Sequence, residues 1–513
     1  MKAEIIVNKN YVIGDIDNRL YGSFLEHVGR AIYGGIYEPL HPQADDMGFR
    51  KDVMELVKKL NVPIVRYPGG NFLSAYNWED GIGDKAQRPQ KLDLAWKSIE
   101  TNQVGIDEFQ EWAKRANTQV MMAVNLGTRG VDDARNCLEY CNCDTDTYYA
   151  QLRKQNGFEK PFGIKTWCLG NEMGGVWQIC RKTPEEYGRL AVETAKVMKL
   201  VDPDIELVAC GSSHKNMPRF GEWELTVLDH TYEVIDYLSI HQYFASESNE
   251  TADFLGKSVE LDKYIKAVAA MCDAVKAKKH SDKTINLSFD EWNVFADGLQ
   301  ITGETWEIAP PRFEYQYSLK DALVVGCMMM TLQNNCDRVK IACLAQLVNA
   351  IAPIMTENGG LAWVQTTYYP FMYASAYGRG ETMRPVVKCD KYDTKTHKNI
   401  PYLECSVVHN PQKRQVTIFT VNRSLKDKVE LKTVFQDFGE CVLKEHIELY
   451  SPNLGTGLTM QRRYARRSML LTRRLQSHIS RWRMCVRVYS TQHTSSSVST
   501  SSSLRVFLYI ILR

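Results

Sequence analysis

The stretch Ile164-Lys165-Thr166-Trp167-Cys168-Leu169-Gly170-Asn171-Glu172 passes from an apolar run of strand length into a glycine and two polar residues able to carry chemistry. A second stretch, Thr284-Ile285-Asn286-Leu287-Ser288-Phe289-Asp290-Glu291-Trp292-Asn293, ends the same way. Short apolar runs bounded by polar or turn residues read as buried strands. Working outward from these two, six more appear: Tyr21 to Glu26, Pro63 to Tyr67, Gln119 to Asn125, Glu206 to Cys210, Tyr237 to His241 and Val339 to Ala345. The segments between them have helical periodicity. Phe49, Val53, Leu56, Val57 and Leu60 fall on one apolar stripe, which Asn61 and Pro63 then stop. Strands alternating with amphipathic helices build a parallel α/β sheet, and eight such units predict a (β/α)8 barrel over residues 19–375.

Outside the barrel the pattern changes. Residues 1–18, with Ile5, Val7, Tyr11 and Ile13, read as one or two strands, and residues 376–455 alternate in strand style through Leu403 to Val408, Val416 to Val421 and Val442 to Leu449. Together they predict a jelly-roll-like β-sandwich incomplete at its C-terminal side. Residues 456–513 have another composition again: 11 Arg and 11 Ser, with no Lys, Asp or Glu. Turns are hard to build from such a segment. The abrupt shift reads as a frame-shifted or disordered extension in place of the last sandwich strands.

The 513 residues are 44% hydrophobic and 24% charged, which suits a globular protein with a sizeable core. The net charge of +2 argues against a nucleic-acid partner. That balance is an average, because residues 1–455 carry 52 basic against 61 acidic side chains. The start, Met1-Lys2-Ala3-Glu4-Ile5, lacks the apolar core of a signal peptide, and no run approaches the length of a membrane span. A cytoplasmic protein without membrane association is expected. The 14 Cys fit a reducing compartment, and Cys137, Cys141 and Cys143 lack the paired second half of a zinc site.

Catalytic groups of such barrels sit at the C-terminal ends of the strands. The candidates there are Glu26 and His27, then Arg66, Gly69, Gly70 and Asn71, then Asn171 and Glu172, His241 and Tyr243, Asp290 and Glu291, and finally Gln346 and Asn349. Glu172 and Glu291 follow strands four and seven, which lie across the barrel from each other. Two opposed carboxyl groups are what glycoside hydrolysis requires, one to protonate the leaving oxygen and one to attack or to direct water. Arg66 and Asp290 read as supporting partners, since an arginine inside a barrel needs carboxylates beside it. Trp96 and Trp177 read either as apolar walls or as core.

The stretches YGSFLEHVGRAIYGGIYEP, VRYPGGNFLSAYNWEDGIG, NLGTRG, WCLGNEM, DEWN and AQLVNAIAPIMT resemble the intracellular α-L-arabinofuranosidases of glycoside hydrolase family 51, from the amino terminus to about residue 455. The resemblance implies Glu172 as general acid/base and Glu291 as nucleophile of a retaining double displacement. It also implies that Asn171, Glu26 and Asn71 bind the furanose hydroxyls, that Tyr243 orients Glu291, and that His241 and Gln346 complete a polar floor. No metal and no cofactor is implied. The expected substrates are arabinofuranosyl oligosaccharides derived from arabinan or arabinoxylan, and the expected assembly is a homo-oligomer, a hexamer or trimer. Phe295 stands where many relatives carry Trp. A β-xylosidase or β-glycanase on the same barrel, and a sugar-binding but inactive homologue with a damaged C-terminal domain, are the competing readings.

Overall fold

The computed structural model describes residues 1–246, 250–296, 306–439, 441–450, 459–464, 486–490 and 504–511. At its centre, Gly22–Phe24 (β1), Ile64–Tyr67 (β2), Gln119–Val124 (β3), Thr166–Leu169 (β4), Glu206–Cys210 (β5), Tyr237–Ser246 (β6), Asn286–Ala296 (β7) and Val339–Ala345 (β8) close into a barrel. The strands follow one another in chain order and every neighbouring pair is parallel. A helix follows each strand, from Lys51–Leu60 after β1 to Tyr368–Tyr377 after β8. Alternation along the strands divides the side chains between two layers. Phe24, Ile64, Met121, Ala123, Cys168, Ile341 and Cys343 fill the barrel, while Val65, Tyr67, Met122, Val124, Trp167 and Leu169 pack outward under the helices. The first helix buries Val53, Met54, Val57 and Leu60, and Asn61 ends it in the left-handed conformation at φ 56°.

Strands β6 and β7 run beyond the ends read from the sequence, so His241, Tyr243, Asp290 and Glu291 lie within strands rather than after them. Their register explains how they still reach the site. Between Ser288 and Glu291 strand β7 uses three steps where β6 uses two, from Ser239 to His241. Against β8 it again uses three, from Phe289 to Trp292, where β8 uses two, from Ala342 to Leu344. One extra residue breaks the strict alternation of faces.

Apart from three short two-stranded pairs, the remaining described strands form two sheets of a sandwich. One has the order Val386–Lys388, Lys2–Asn8, Glu430–Gln436, Val486–Ser490; the other runs Val12–Asp15, Glu381–Met383, Leu403–Asn410, Gln415–Asn422, Leu504–Ile511, Cys441–Tyr450, Thr459–Tyr464. Ala3, Ile5, Val7, Val407, Val416, Ile418 and Leu431 fill the space between the sheets. The outer face of the larger sheet contributes Val408, Phe419, Val421, Ile447 and Leu449 to the core shared with the barrel. Gln415–Asn422 is therefore buried on both faces, with Val416 and Ile418 turned to the sandwich interior and Phe419 and Val421 to the barrel side. Three strands come from the stretch 456–513. The apolar end of the chain, given no place in the fold by its composition, supplies Leu504–Ile511, which pairs in parallel with both Gln415–Asn422 and Cys441–Tyr450. A strand seated between two others satisfies two otherwise open edges. The rest of the expected frame-shifted or disordered tail lies outside the described residues.

Candidate active site

Glu172 is carried back over the barrel mouth by a turn after β4 in which Gly170 has φ 85° and Glu172 itself φ 46°. A Cβ at Gly170 would meet the Met173 side chain at 3.0 Å. Glu172 Oε1 lies 2.9 Å from His241 Nδ1, and Oε2 accepts a 2.6 Å hydrogen bond from Trp177 Nε1. Across the mouth, Glu291 Oε1 accepts from Arg66 at 2.8 Å and Oε2 accepts from the Tyr243 hydroxyl at 3.0 Å. One oxygen of each glutamate and a ring nitrogen of His241 lie within 4.8 Å of one another.

The extra residue in β7 lets adjacent Asp290 and Glu291 face the same guanidinium: Arg66 Nε is 3.0 Å from Asp290 Oδ2. Asp290 also receives the Ser239 hydroxyl and lies 3.8 Å from the Cys168 thiol. Arg66 is completely buried, and its remaining nitrogen donates to Asn171 Oδ1 at 2.8 Å. Its burial is compensated by carboxylates on two sides and by the Phe24 ring below, 4.9 Å from the guanidinium carbon.

The third carboxyl, Glu26, sits under the loop after β2. Oε1 accepts from the Phe72 amide at 2.9 Å and from Trp96 Nε1 at 2.8 Å, and Oε2 accepts from Gln346 Nε2 at 3.2 Å. This close approach requires Gly69 and Gly70, where an added Cβ would lie 2.6 and 2.7 Å from Glu26 atoms. Asn171 Nδ2 donates to Asn71 Oδ1 at 3.2 Å. The eight residues to which the resemblance gives roles thus meet at one mouth: Gln346 with Glu26, Asn71 with Asn171, Arg66 joining Asn171 to Glu291, Tyr243 on Glu291, and His241 on Glu172. Of the other strand-end candidates, His27 is bonded to Glu100 and Tyr67, and Asn349 to the Arg30 carbonyl and Thr356.

Sequence reasoning missed the role of the two tryptophans. Trp96 and Trp177 are hydrogen-bond donors to Glu26 and Glu172 rather than plain apolar walls. The signal available was weak: Gly174-Gly175 ahead of Trp177 marks a loop that can bring the indole back. Ser239 and Cys168, which hold Asp290, gave no signal beyond being inward-facing positions of β6 and β4.

The electrostatics follow from this packing. Burial, with the Glu291 charge nearby, pushes Glu26 up to about 8, so it is largely neutral at pH 7. Burial alone would lower His241, but Glu291, Asp290 and Glu172 around it raise it to about 10. Burial opposes ionisation of Glu172, yet the His241 hydrogen bond and charge hold its carboxyl below the usual carboxylate range. Burial raises Glu291; the His241 and Arg66 cations oppose that rise, whereas the Glu172 and Asp290 charges add to it. The pair His241 and Glu172 therefore holds a proton in a single 2.9 Å hydrogen bond. Glu172, His241 and Glu291 are also near enough together to face one cation, but their donor atoms are engaged by one another, by Arg66 and by Tyr243.

A closed parallel barrel with two glutamates facing each other across its C-terminal mouth has the arrangement that barrel glycoside hydrolases use. Two family models match the chain, the α-L-arabinofuranosidase 1 domain over residues 56–265 and the α-L-arabinofuranosidase C-terminal domain over residues 290–462. An intracellular exo-α-(1→5)-L-arabinofuranosidase 1 of Bacillus subtilis is 56% identical over 450 residues, 87% of this chain and 90% of that one. An intracellular exo-α-(1→5)-L-arabinofuranosidase of Halalkalibacterium halodurans is 54% identical, over 88% and 91% of the two chains. A solved family 51 α-L-arabinofuranosidase from Bifidobacterium longum superposes with a TM-score of 0.87 at 42% identity, covering 90% of this chain and 94% of that one. The chain belongs to the α-L-arabinofuranosidases of glycoside hydrolase family 51.

Proposed function

We propose that the protein is a retaining, exo-acting α-L-arabinofuranosidase that works inside the cell on arabinan- or arabinoxylan-derived oligosaccharides. The likeness to exo-acting arabinofuranosidases supports the substrate, and the spacing of the two glutamates carries the retaining mechanism. Retention needs carboxyl groups about 5 to 5.5 Å apart, whereas inversion needs about 6.5 to 9.5 Å to admit a water. Oxygens of Glu172 and Glu291 within 4.8 Å favour the first.

In this mechanism Glu291, steadied by Arg66 and Tyr243, attacks the anomeric carbon while the leaving oxygen takes a proton from Glu172. The His241–Glu172 pair is an ion pair in the open, wet site. A sugar that expels water favours the neutral tautomer, in which the proton has crossed the hydrogen bond to Glu172. The leaving group departs with that proton. Water then enters, Glu172 as carboxylate takes its proton, and hydroxide equivalent attacks the anomeric carbon to free Glu291 and arabinose. Asn171 and Asn71 reach the sugar hydroxyls beside Glu291, and neutral Glu26 both donates and accepts at the far side of the ring. A homo-oligomer, trimer or hexamer, is part of the proposal and is checked by light scattering.

The test is hydrolysis of 4-nitrophenyl α-L-arabinofuranoside beside the matching β-xyloside and β-glucoside, with the anomeric proton of the first-formed product followed by NMR. Turnover of the furanoside with the α-anomer appearing first supports the reading. Preference for the xyloside, or β-anomer first, rejects it.

A further inference from the structure

The Trp177 indole that donates to Glu172 also lines a cavity of about 530 Å³, so this cavity adjoins the acid through that one side chain. Trp177 is 46% exposed and lies nearly parallel to His214, with ring centroids 6.2 Å apart. A half-exposed indole held in place by its own N–H presents a flat apolar face, the surface on which a sugar ring packs. Burial lowers the His214 pKa, leaving that ring neutral near pH 7.

The charge of the cavity runs against that of the body of the chain. Residues 1–455 are acidic overall, yet the charged residues lining the cavity are Arg181, Lys182, Arg219 and a single carboxylate, Glu186. Arg219 is neutralised by Glu222. Glu186 is turned onto the start of its helix, accepting from the Thr183 amide at 2.8 Å and hydroxyl at 2.9 Å. Among the described residues, Arg181 donates to the Gly174 carbonyl at 3.1 Å, and Lys182, whose charge also acts on Glu186, donates to the Cys180 carbonyl at 3.3 Å. The Arg181 contact uses Nε and leaves the two terminal nitrogens of the fork for a planar, bidentate anion such as a carboxylate.

We propose that this cavity is a leaving-group subsite for an acidic sugar, with the Trp177 face under the ring and Arg181 and Lys182 receiving its carboxylate. The substrates selected are arabinofuranosyl groups attached to uronate-bearing oligosaccharides. The inference rests on the proposed hydrolysis of arabinofuranosides and names the leaving group that this site prefers.

The experiment compares kcat/KM of the full chain on an α-L-arabinofuranosyl-galacturonate disaccharide and on its carboxyl-reduced, neutral counterpart, at low and high salt. Partly exposed ion pairs are each worth up to a factor of about five, so the acidic substrate is expected to lead by about five- to tenfold at low salt and to lose that lead at high salt. The double variant Arg181→Gln/Lys182→Gln is expected to bring the ratio to about one, and Arg181→Glu to reverse it, with thermal unfolding showing that both variants fold. Equal rates on the two disaccharides in an enzyme that hydrolyses the aryl arabinofuranoside overturn the subsite alone. A lead that survives the double variant overturns it as well. Failure on the aryl arabinofuranoside itself overturns the enzymatic reading instead.

Discussion

The barrel and the sandwich are both built from strands, but they dispose of their edges differently. The barrel closes on itself with eight strands in chain order, all drawn from residues 22–345. The sandwich is assembled from distant parts of the chain: Lys2–Asn8 runs parallel to Glu430–Gln436, and Leu504–Ile511 lies between strands that begin at Gln415 and Cys441. A closed sheet has no edge to protect, whereas each open sheet ends on strands with unpaired backbone groups. The lesson is a division of labour. The barrel can hold costly buried charges at its mouth because its frame does not depend on remote segments, and the sandwich contributes support through the outer face of its larger sheet. Changes at the mouth should therefore alter chemistry, and changes in the sandwich should alter stability.

The largest effect tests the first half of that division. Glu291→Ala removes the attacking group, and a loss of roughly 10⁴- to 10⁶-fold in kcat is expected on every substrate, good leaving group or poor. Steady-state assays on aryl arabinofuranosides and on arabinobiose measure it. Residual activity above a hundredth of the parent enzyme would remove Glu291 from the role of nucleophile.

Glu172→Ala is expected to cost roughly 10²- to 10⁴-fold on arabinobiose but far less on 4-nitrophenyl arabinofuranoside, because nitrophenolate departs without a proton. Azide, which needs no general base, should restore turnover and give the arabinosyl azide. Equal losses on both substrates, with no azide product, would contradict the assignment.

These two residues were legible because apolar runs announced strands and the first polar residues after them announced the mouth. Glu26, Asn71 and Gln346 were found by the same rule. What stayed hidden depended on geometry that composition does not encode. The extra residue in β7 places Asp290 and Glu291 against one guanidinium, although neighbours in a regular strand would point apart. Trp96 and Trp177 come from loops, and nothing in their spacing says that each indole N–H ends on a carboxylate. In the sandwich, the paucity of turn residues after Gly457 gave no reason to expect strands, yet Thr459–Tyr464, Val486–Ser490 and Leu504–Ile511 pair within the two sheets.

Deleting residues 456–513 tests the second half of the division. It opens the edges of Gln415–Asn422, Cys441–Tyr450 and Glu430–Gln436 to solvent. Unpaired edges favour association between copies, so a melting temperature lower by several degrees and a concentration-dependent loss by aggregation are expected. The rate per folded molecule on the aryl substrate should stay within about twofold. A fall in kcat as deep as that of Glu172→Ala would show that the site needs the sandwich for more than support.

The smallest effect is a change of slope, and it lies on the barrel side. Glu26 is pushed up to about 8 in the folded protein against an ordinary value of 4.5. A carboxyl raised in this way binds its proton more tightly when folded, so its contribution is fully present below about pH 4.5 and is lost as pH rises toward 8. The slope from one such group is at most about 1.4 kcal/mol per pH unit. Glu26→Gln keeps the shape and is neutral throughout, so the variant should lack that component. Its stability differs from the parent at low pH by a constant offset, because the amide carries two donor hydrogens where the protonated carboxyl carries one, but the difference in unfolding free energy between the two proteins should shift in favour of the variant between pH 5 and 8. Other buried acids, such as Asp107 and Asp93, are common to both proteins and cancel in that difference. Parallel denaturant titrations at three pH values measure it, and parallel stability curves would mean that Glu26 is ionised in the folded site.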